Sequence, residues 1–396
     1  MKRLVEAFLE RVLGRLPIGW LQLVHNRNRL LAAVAGVTFA NILIFMQLGF
    51  LGALVGSIEL PYNQMNADVM ISASDMNTLA DGSPIPRQRM YQAFAVDDVL
   101  SAAPLYYGKL DWKQADGSVR NLDVFGVDPS VETFANAKVR ALLPELALLD
   151  AAILDRGTRN VPKASFDAVD AGTPLRFETR GRTLNVVGTF TIGGGFAADG
   201  YLIVSDQTFF TLFPQRVSGA PNHIFVKLKP HADRGAAVAK LRAVLGESDA
   251  IVRTVPEAAR KDQSFQTTQR PVGVVFGFGV IIGVMVGVII VYQVLTTDVA
   301  DHMKEYATFK AIGYKQGFFL GIIFEEAVVL ATLGFLPGIA ISLGLYAAAS
   351  RATSLPIQMN TIRALEVLVG TLLMCTLSGA LAVRRLARAN PAELFG

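Results

Sequence analysis

The sequence predicts an α-helical membrane protein, with four transmembrane helices plus a large α/β extracytoplasmic domain between helices 1 and 2. Three observations carry this. Of the 396 residues, 52% are hydrophobic and only 18% charged, too apolar a balance for an ordinary soluble protein. Four long runs, 30–58, 271–297, 317–350 and 364–383, are charge-free or nearly so, and each reaches the ~20 residues that cross a bilayer as a helix. Between the first and second runs, residues 59–270 carry the prolines, turn dipeptides and mixed charge of a globular domain.

Residues 1–29 open the chain as a basic amphipathic segment. Val5, Phe8, Leu9, Val12, Leu13 and Leu16 line one side while Lys2, Arg3, Arg11 and Arg15 sit elsewhere, the pattern of a helix lying in the headgroup plane of membrane lipids. Pro17 breaks it, and Trp20 suits the interface. The basic region is too long for a secretory signal peptide, so no cleavage is expected. With Arg27 and Arg29 also ahead of the first run, the positive-inside rule puts the N-terminus in the cytoplasm. Everything after Glu59 then lies on the far side.

Within the outer domain, Ala67–Ser74 reads as a strand, and Val96–Ala102 as part of a helix starting near Arg87. Asp116-Gly117 and Arg180-Gly181 mark two hairpins, Tyr106–Lys113 with Val119–Val127 and Pro174–Thr179 with Thr183–Ile192. Tyr201–Ser205, His223–Leu228 and Ala250–Val255 are further strands, and Asp233 caps a helix running to Gly246. The alternation suggests one discontinuous subdomain, 60–103 with 221–270, and a hairpin-rich one, 104–220, inserted in it. Gly193-Gly194-Gly195 lacks the strand–helix context of a phosphate loop and is expected to hold no ligand.

Span two, 271–297, repeats glycine every four residues at Gly279, Gly283 and Gly287, which strips side chains from one stripe and lets another backbone approach. The following segment, 298–316, falls on the cytoplasmic side by span counting. Val299, Met303, Tyr306 and Phe309 or Lys310 recur at helical spacing, Asp301 and Lys304 sit one turn apart, and Gly313 ends the pattern. Periodicity alone fits either a solvated loop or a helix that docks a partner. Span three, 317–350, holds Glu325 and Glu326 in its first third and Pro337 midway. Intramembrane carboxylates point to function, yet these lie close enough to the cytoplasmic end to snorkel. Pro337 is expected to kink the helix. Residues 351–363 form a short outer loop, span four covers 364–383 with Cys375 buried, and the tail 384–396 with Arg384, Arg385 and Arg388 returns to the cytoplasm.

Several function classes are disfavoured. One cysteine leaves no disulfide framework. His25, His223, His231 and His302 are scattered, and there is no Gly-x-x-x-x-Gly-Lys-Ser/Thr, His-Glu-x-x-His or Gly-x-Ser-x-Gly run. No catalytic residue, metal site or cofactor site is expected in this chain. A net charge of +4 gives nucleic-acid binding little support.

One span, a large outer domain and three further spans is a layout that resembles the MacB/FtsX/LolC class of ABC transporter permeases. The residues carrying the likeness are DVADHMKEYATFKAIGYKQGFF, with Glu305, Lys310, Ala311, Ile312 and Gly313 on its signature, the Glu326-Ala327 pair early in span three, and Asn390-Pro391-Ala392 in the tail. PIGWLQL, NRLLAAVAGVTFANILIFMQLGF, VYQVLTTDVADHMKEYATFKAIGY and LGFLPG are similar to the DevC-like branch. Unlike MacB itself, no nucleotide-binding domain precedes the first span. The resemblance implies a non-catalytic permease subunit acting as a homodimer on two copies of a separate ABC ATPase, which would bind the ATP and Mg. It implies a mechanotransmission mechanism, porter-like and sabre-like outer subdomains, a periplasmic adaptor and a TolC-like outer-membrane duct, in a bacterial inner membrane with both termini cytoplasmic. The exported material would be an amphiphilic envelope substrate such as a glycolipid. On this reading 298–316 is the coupling helix, with Asp298, Asp301, His302, Glu305, Tyr306, Lys310 and Gly313 at the ATPase, while Gly279, Gly283 and Gly287 pack against span one at the dimer interface. Two rivals are an FtsX-like regulator that activates a cell-wall hydrolase and a membrane receptor with no ATPase.

Overall fold

The computed structural model describes residues 17–114, 116–246, 249–303, 305, 308–309 and 312–388. The amphipathic segment 2–16, Lys304, Tyr306, Lys310, Ala311 and the tail motif Asn390-Pro391-Ala392 therefore lie outside the described residues. The chain divides into two compact units, one holding 275–349 with the residues before 52 and after 356, the other holding 52–274 with 350–356.

The first unit is helical. A short helix α1 (Ile18–His25) precedes α2 (Arg27–Gln64), whose last residues belong to the second unit, and three more long helices follow: α9 (Pro271–Asp301), α10 (Gln316–Thr353) and α11 (Thr361–Arg388). These four long helices have the length and apolar composition to cross a membrane. α2 has 38 residues, roughly 57 Å at about 1.5 Å per residue, so the helix outlasts the charge-free run 30–58 at both ends. Pro61 near its end and Pro337 in α10 both fall inside unbroken helix. The apolar face of α9 formed by Phe278, Ile281, Ile282, Met285 and Ile289 is exposed, as suits contact with lipid tails. Its opposite face, with α2, α10 and α11, encloses a core containing Ala33, Val37, Leu295, Ile322, Ala327, Leu330 and Cys375. Trp20, expected at the interface, belongs to that core at 8% exposure.

The second unit is built on one sheet. In chain order it runs β1 (Val69–Ala73), α3 (Gln88–Ala93), β2 (Val99–Lys113), β3 (Val119–Val127), α4 (Ala137–Leu142), β4 (Ala151–Asp155), α5 (Lys163–Asp170), β5 (Leu175–Thr179), β6 (Arg182–Phe190), β7 (Gly200–Ser205), α6 (Asp206–Leu212), β8 (His223–Leu228), α7 (Arg234–Leu245), β9 (Ala250–Thr254) and α8 (Val255–Thr268). Among the described residues, the strands lie in the order β5-β6-β4-β7-β3-β2-β8-β1-β9. Both expected hairpins form, pairing Lys113 with Val119 and Thr179 with Arg182. Gly117 and Gly181 take positive φ there, where a side chain would be strained. Asp233 caps α7 by accepting from Ala236 N at 2.6 Å.

The helix expected from Arg87 to Ala102 ends at Ala93, and β2 begins at Val99. The apolar residues Val99, Ala102 and Ala103 serve a strand facing β8 rather than another helical turn. β2 is long enough to take two partners in succession: Val99–Leu105 pairs with β8, and Leu105–Lys113 pairs with β3.

Side-chain alternation separates the two faces of this sheet. On one face Met70, Leu105, Tyr107, Phe125, Ile153, Tyr201 and Phe225 join a single core with α8 and residues 54–65. On the other, Val69, Ile71, Ile224, Val226 and Val252 pack under α3 and α7. Farther along that face, Leu110, Val124, Leu154, Val186 and Leu202 pack under α5 and α6 in a separate core. One face is therefore continuous and the other split. The split falls between residues 69–102 with 224–252 and residues 106–213.

Candidate functional site

The site forms where charge first returns at the end of α9. Asp298 is 3% exposed and Asp301 lies one turn on, at the surface. Facing them is Arg29, in the first turn of α2. Its guanidinium bonds Asp301, stands 3.5 Å from Asp298 Oδ1 and donates to the Val294 carbonyl at 3.1 Å. Asp301 thus takes a partner from another helix, while the expected pairing with Lys304 lies outside the described residues. His302 Nδ1 donates to the Asp298 carbonyl at 3.0 Å, because a carbonyl can only accept.

Glu325 and Glu326 approach from α10 and are 5% and 0% exposed. Interfacial snorkelling does not describe them: they turn inward, onto α1 and α9. Pro17, at the N-cap of α1, has no side-chain donor or acceptor to offer. Glu325 Oε1 supplies the acceptor instead, taking the Trp20 backbone N–H at 3.1 Å. A carboxylate at that end also meets the positive pole of the helix. Gly19 makes this approach possible, since a Cβ there would sit 2.8 Å from the Ile322 carbonyl oxygen. The Glu326 carboxyl faces that of Asp298. Neither Glu326 oxygen nor Asp298 Oδ2 completes a hydrogen bond among the described residues.

Between α1, the start of α2 and the end of α9 lies a cavity of about 190 Å³, lined by Gln22, His25, Asn26, Arg29, Asp298 and Asp301 among others. Gln22 Nε2 reaches Glu305 Oε2 at 3.4 Å, which brings the exposed Glu305 to the same edge. Met303, Glu305, Thr308 and Phe309 are helical, and Gly313 ends the turn with φ +105°. There the Tyr314 ring meets Phe309 and Phe318 with centroids 5.6 and 4.5 Å away. Ile312 and Tyr314 are left exposed at the tip.

Of the residues singled out by sequence, the structure thus brings Asp298, Asp301, His302, Glu305, Glu325 and Glu326 to one end of the helical unit. Gly313 sits beyond them, and Tyr306 and Lys310 lie outside the described residues. Sequence reasoning missed Arg29, Trp20 and Gln22 as partners. The available signal was that Arg29 is the last charge before span one and Asp298 the first after span two. Gly279, Gly283 and Gly287 lie elsewhere along α9, where added Cβ atoms would meet Gln47, Ile44 and Met374 at 2.3, 2.9 and 2.2 Å. The stripe's neighbours are span one and span four of the same chain, so these positions are filled within one copy. Among the described residues, no group of three or more His, Cys, Asp and Glu is arranged to hold a metal ion.

Residues 30–244 match the MacB-like periplasmic core domain, and residues 277–391 match the FtsX-like permease C-terminal region. The chain belongs to the MacB/FtsX-like class of ABC permeases. As a member it is an ABC transporter permease subunit of a family whose components work with an ABC ATPase. Among solved structures, the periplasmic region of MacB from Actinobacillus actinomycetemcomitans aligns at 10% identity and TM-score 0.33, covering 50% of this chain and 92% of that one. The extracellular domain of the noncanonic ABC-type transporter YknZ from Gram-positive bacteria aligns at 11% identity and TM-score 0.32, covering 47% and 98%. No curated protein matches.

Proposed function

We propose that this permease couples ATP hydrolysis by a separate subunit to motion of its outer domain, and that the residues following α9 receive the push. The observation that supports this reading is the Arg29–Asp298 ion pair with Asp301 beside it. It ties the root of the cytoplasmic segment to α2, while Glu326 places α10 against the same aspartate. A displacement at Glu305 or Ile312 would then load three helices together. Packed elements joined by buried polar contacts shift between discrete arrangements instead of deforming continuously.

In this reading the chain works as a homodimer in a bacterial inner membrane. Its termini are cytoplasmic and two ATPase copies bind beneath. A periplasmic adaptor and a TolC-like duct complete a tripartite pump, and the substrate is an amphiphile of the envelope, as the DevC-like sequence features suggest. The faces offered to a second copy would exclude Gly279, Gly283 and Gly287, which are occupied within the chain.

Purification from native membranes with identification of bound proteins tests it. An ATPase together with an adaptor is expected. An ATPase with a cell-wall hydrolase would replace export by regulation, and recovery with no ATPase at all would overturn the coupling role.

A further inference from the structure

The outer domain contains a built site of its own. The glycine run 193–195, which sequence gave no ligand, folds over a small half-open cavity of about 50 Å³. Asp155 secures that loop, taking the Ile192 and Gly193 amides at 2.9 Å each. Gly195, Phe196 and Ala197 then form one wall, and Leu54, Ile58 and Leu79 contribute apolar surface.

The polar lining has one sign. Asp123 and Asp262 are 5% and 2% exposed, and no lysine, arginine or histidine is among the lining residues. Asp262 is already satisfied, holding the Leu79 amide and the Tyr62 hydroxyl at 2.9 Å and Gln266 at 2.8 Å. Asp123 is different. Its Oδ1 completes no hydrogen bond among the described residues, and neither does the Tyr107 hydroxyl beside it, which is 3% exposed. The nearest cation, Lys109, lies outside the lining; it forms a long ion pair with Asp123 Oδ1 at 3.7 Å and also donates to the Ala197 carbonyl at 3.3 Å. The Tyr201 ring, stacked on Phe125, closes the far side. Burial pushes the Asp123 carboxyl up to about 6, and leaving two buried polar groups unsatisfied costs stability.

Such a cavity asks for a small donor carrying positive charge. Its volume holds a single ammonium group and little more, and any larger body must continue outward past the apolar rim. A metal ion would want three or more hard ligands, which this lining does not offer. We propose that the cavity receives the protonated primary amine of an amphiphile, with the Asp123 carboxylate and Tyr107 hydroxyl as its acceptors. The amine comes either from a free amphiphile or from an aminophospholipid headgroup. The inference concerns binding and stands or falls apart from the export reading.

The test uses the full chain in phosphatidylcholine nanodiscs, titrated calorimetrically with octylammonium, and with octanol and octanoate as matched tails. Saturable one-to-one binding of octylammonium alone is expected near pH 7.5. Asp123→Asn should weaken it about tenfold or more, and Tyr107→Phe about threefold, as loss of a charged and of a neutral hydrogen bond predicts. Tyr107→Phe keeps the test open should Asp123→Asn fail to fold. Binding should also fall near pH 5, where Asp123 is largely protonated with Lys109, Tyr107, Tyr201 and Asp262 facing it. In discs containing phosphatidylethanolamine, a weaker apparent affinity identifies the lipid as occupant, and an unchanged one identifies a free amine. Equal binding of octanol, no saturable binding, or affinity indifferent to both substitutions would overturn the proposal.

Discussion

Arg29 and Asp298 stand 3.5 Å apart across two helices separated by more than half the chain. The aspartate side chain is 4% exposed and the arginine 21%, so the pair is desolvated mainly on the carboxylate side. Removing one partner of such a pair strands the other, which costs more than the pair itself contributes. Arg29→Met keeps the aliphatic stem and removes the charge. It should destabilise the helical unit by about 3 kcal/mol, and adding Asp298→Asn should recover much of that. Thermal unfolding of both variants in detergent checks this, and additive losses would show that the two residues act separately.

Glu305 lies at the exposed edge of the same cluster, where Gln22 Nε2 reaches it at 3.4 Å. Reversing its charge should leave insertion and folding intact, because surface substitutions of this kind shift stability by about 0.5 kcal/mol or less. In the assembled complex, Glu305→Lys should nevertheless abolish substrate-stimulated ATP turnover. Turnover at the native rate would remove Glu305 from the coupling surface.

Much of this could be read from sequence, for physical reasons. The spans stood out because bilayer crossing demands long runs without charge, and the hairpins because Gly117 and Gly181 occupy backbone conformations that favour glycine. Asp233 announced its helix because a short acceptor before an apolar repeat is a local signal. β4 was missed because all five of its residues are buried, leaving no alternation to read. Its parallel partner β6 arrives only after a helix, α5, and the strand β5. The charged site was half legible. Asp298, Glu325 and Glu326 are conspicuous as acids at the ends of apolar runs, whereas the pairing of Arg29 with residues 269 and 272 positions away is a product of packing.

Gly283 illustrates how tightly that packing is drawn. A Cβ added there would lie 2.9 Å from Ile44 Cγ1 and 3.5 Å from the Ile44 backbone nitrogen. Gly283→Leu should therefore force α9 away from α2 and destabilise the single chain by about 1–3 kcal/mol. Ile44→Ala in the same molecule should restore part of the loss. Unfolding measured on monomer in detergent separates this from any effect on a dimer; no change in monomer stability would contradict the packing.

Sidedness has a direct chemical readout. Gly117 tips an open hairpin turn in the outer domain and Lys315 is exposed beyond Gly313, while the native Cys375 is fully buried. Cysteines introduced at Gly117 and Lys315 should react with an impermeant maleimide from opposite faces of the membrane. Labelling of both from one face would overturn the arrangement of spans.

Acid should act on the outer domain through two buried groups of opposite sense. His223 is 1% exposed and neutral, accepting from Ser72 at 2.8 Å and donating to the Leu79 carbonyl at 2.9 Å. Burial lowers it to about 4. Its contribution is complete above the ordinary histidine value near 6.5 and is lost as pH falls through about 4, on the order of 3 kcal/mol in all. Asp123, raised to about 6, runs the other way. Its contribution is complete below the ordinary aspartate value near 3.9 and is lost as pH rises through about 6, on the order of 3 kcal/mol. In the native chain the two largely offset each other between these limits. Asp123→Asn should therefore be more stable than native at neutral pH, converge with it near pH 4, and expose the histidine's fall on acidification. His223→Gln should show the reverse slope, gaining stability as pH drops, with Asp155 and Asp262, also raised by burial, adding to that gain. The buried Trp112 of this domain reports unfolding once Trp20 is replaced by phenylalanine, since the chain has two tryptophans. Parallel pH profiles for the two variants would show that neither group titrates as its burial requires.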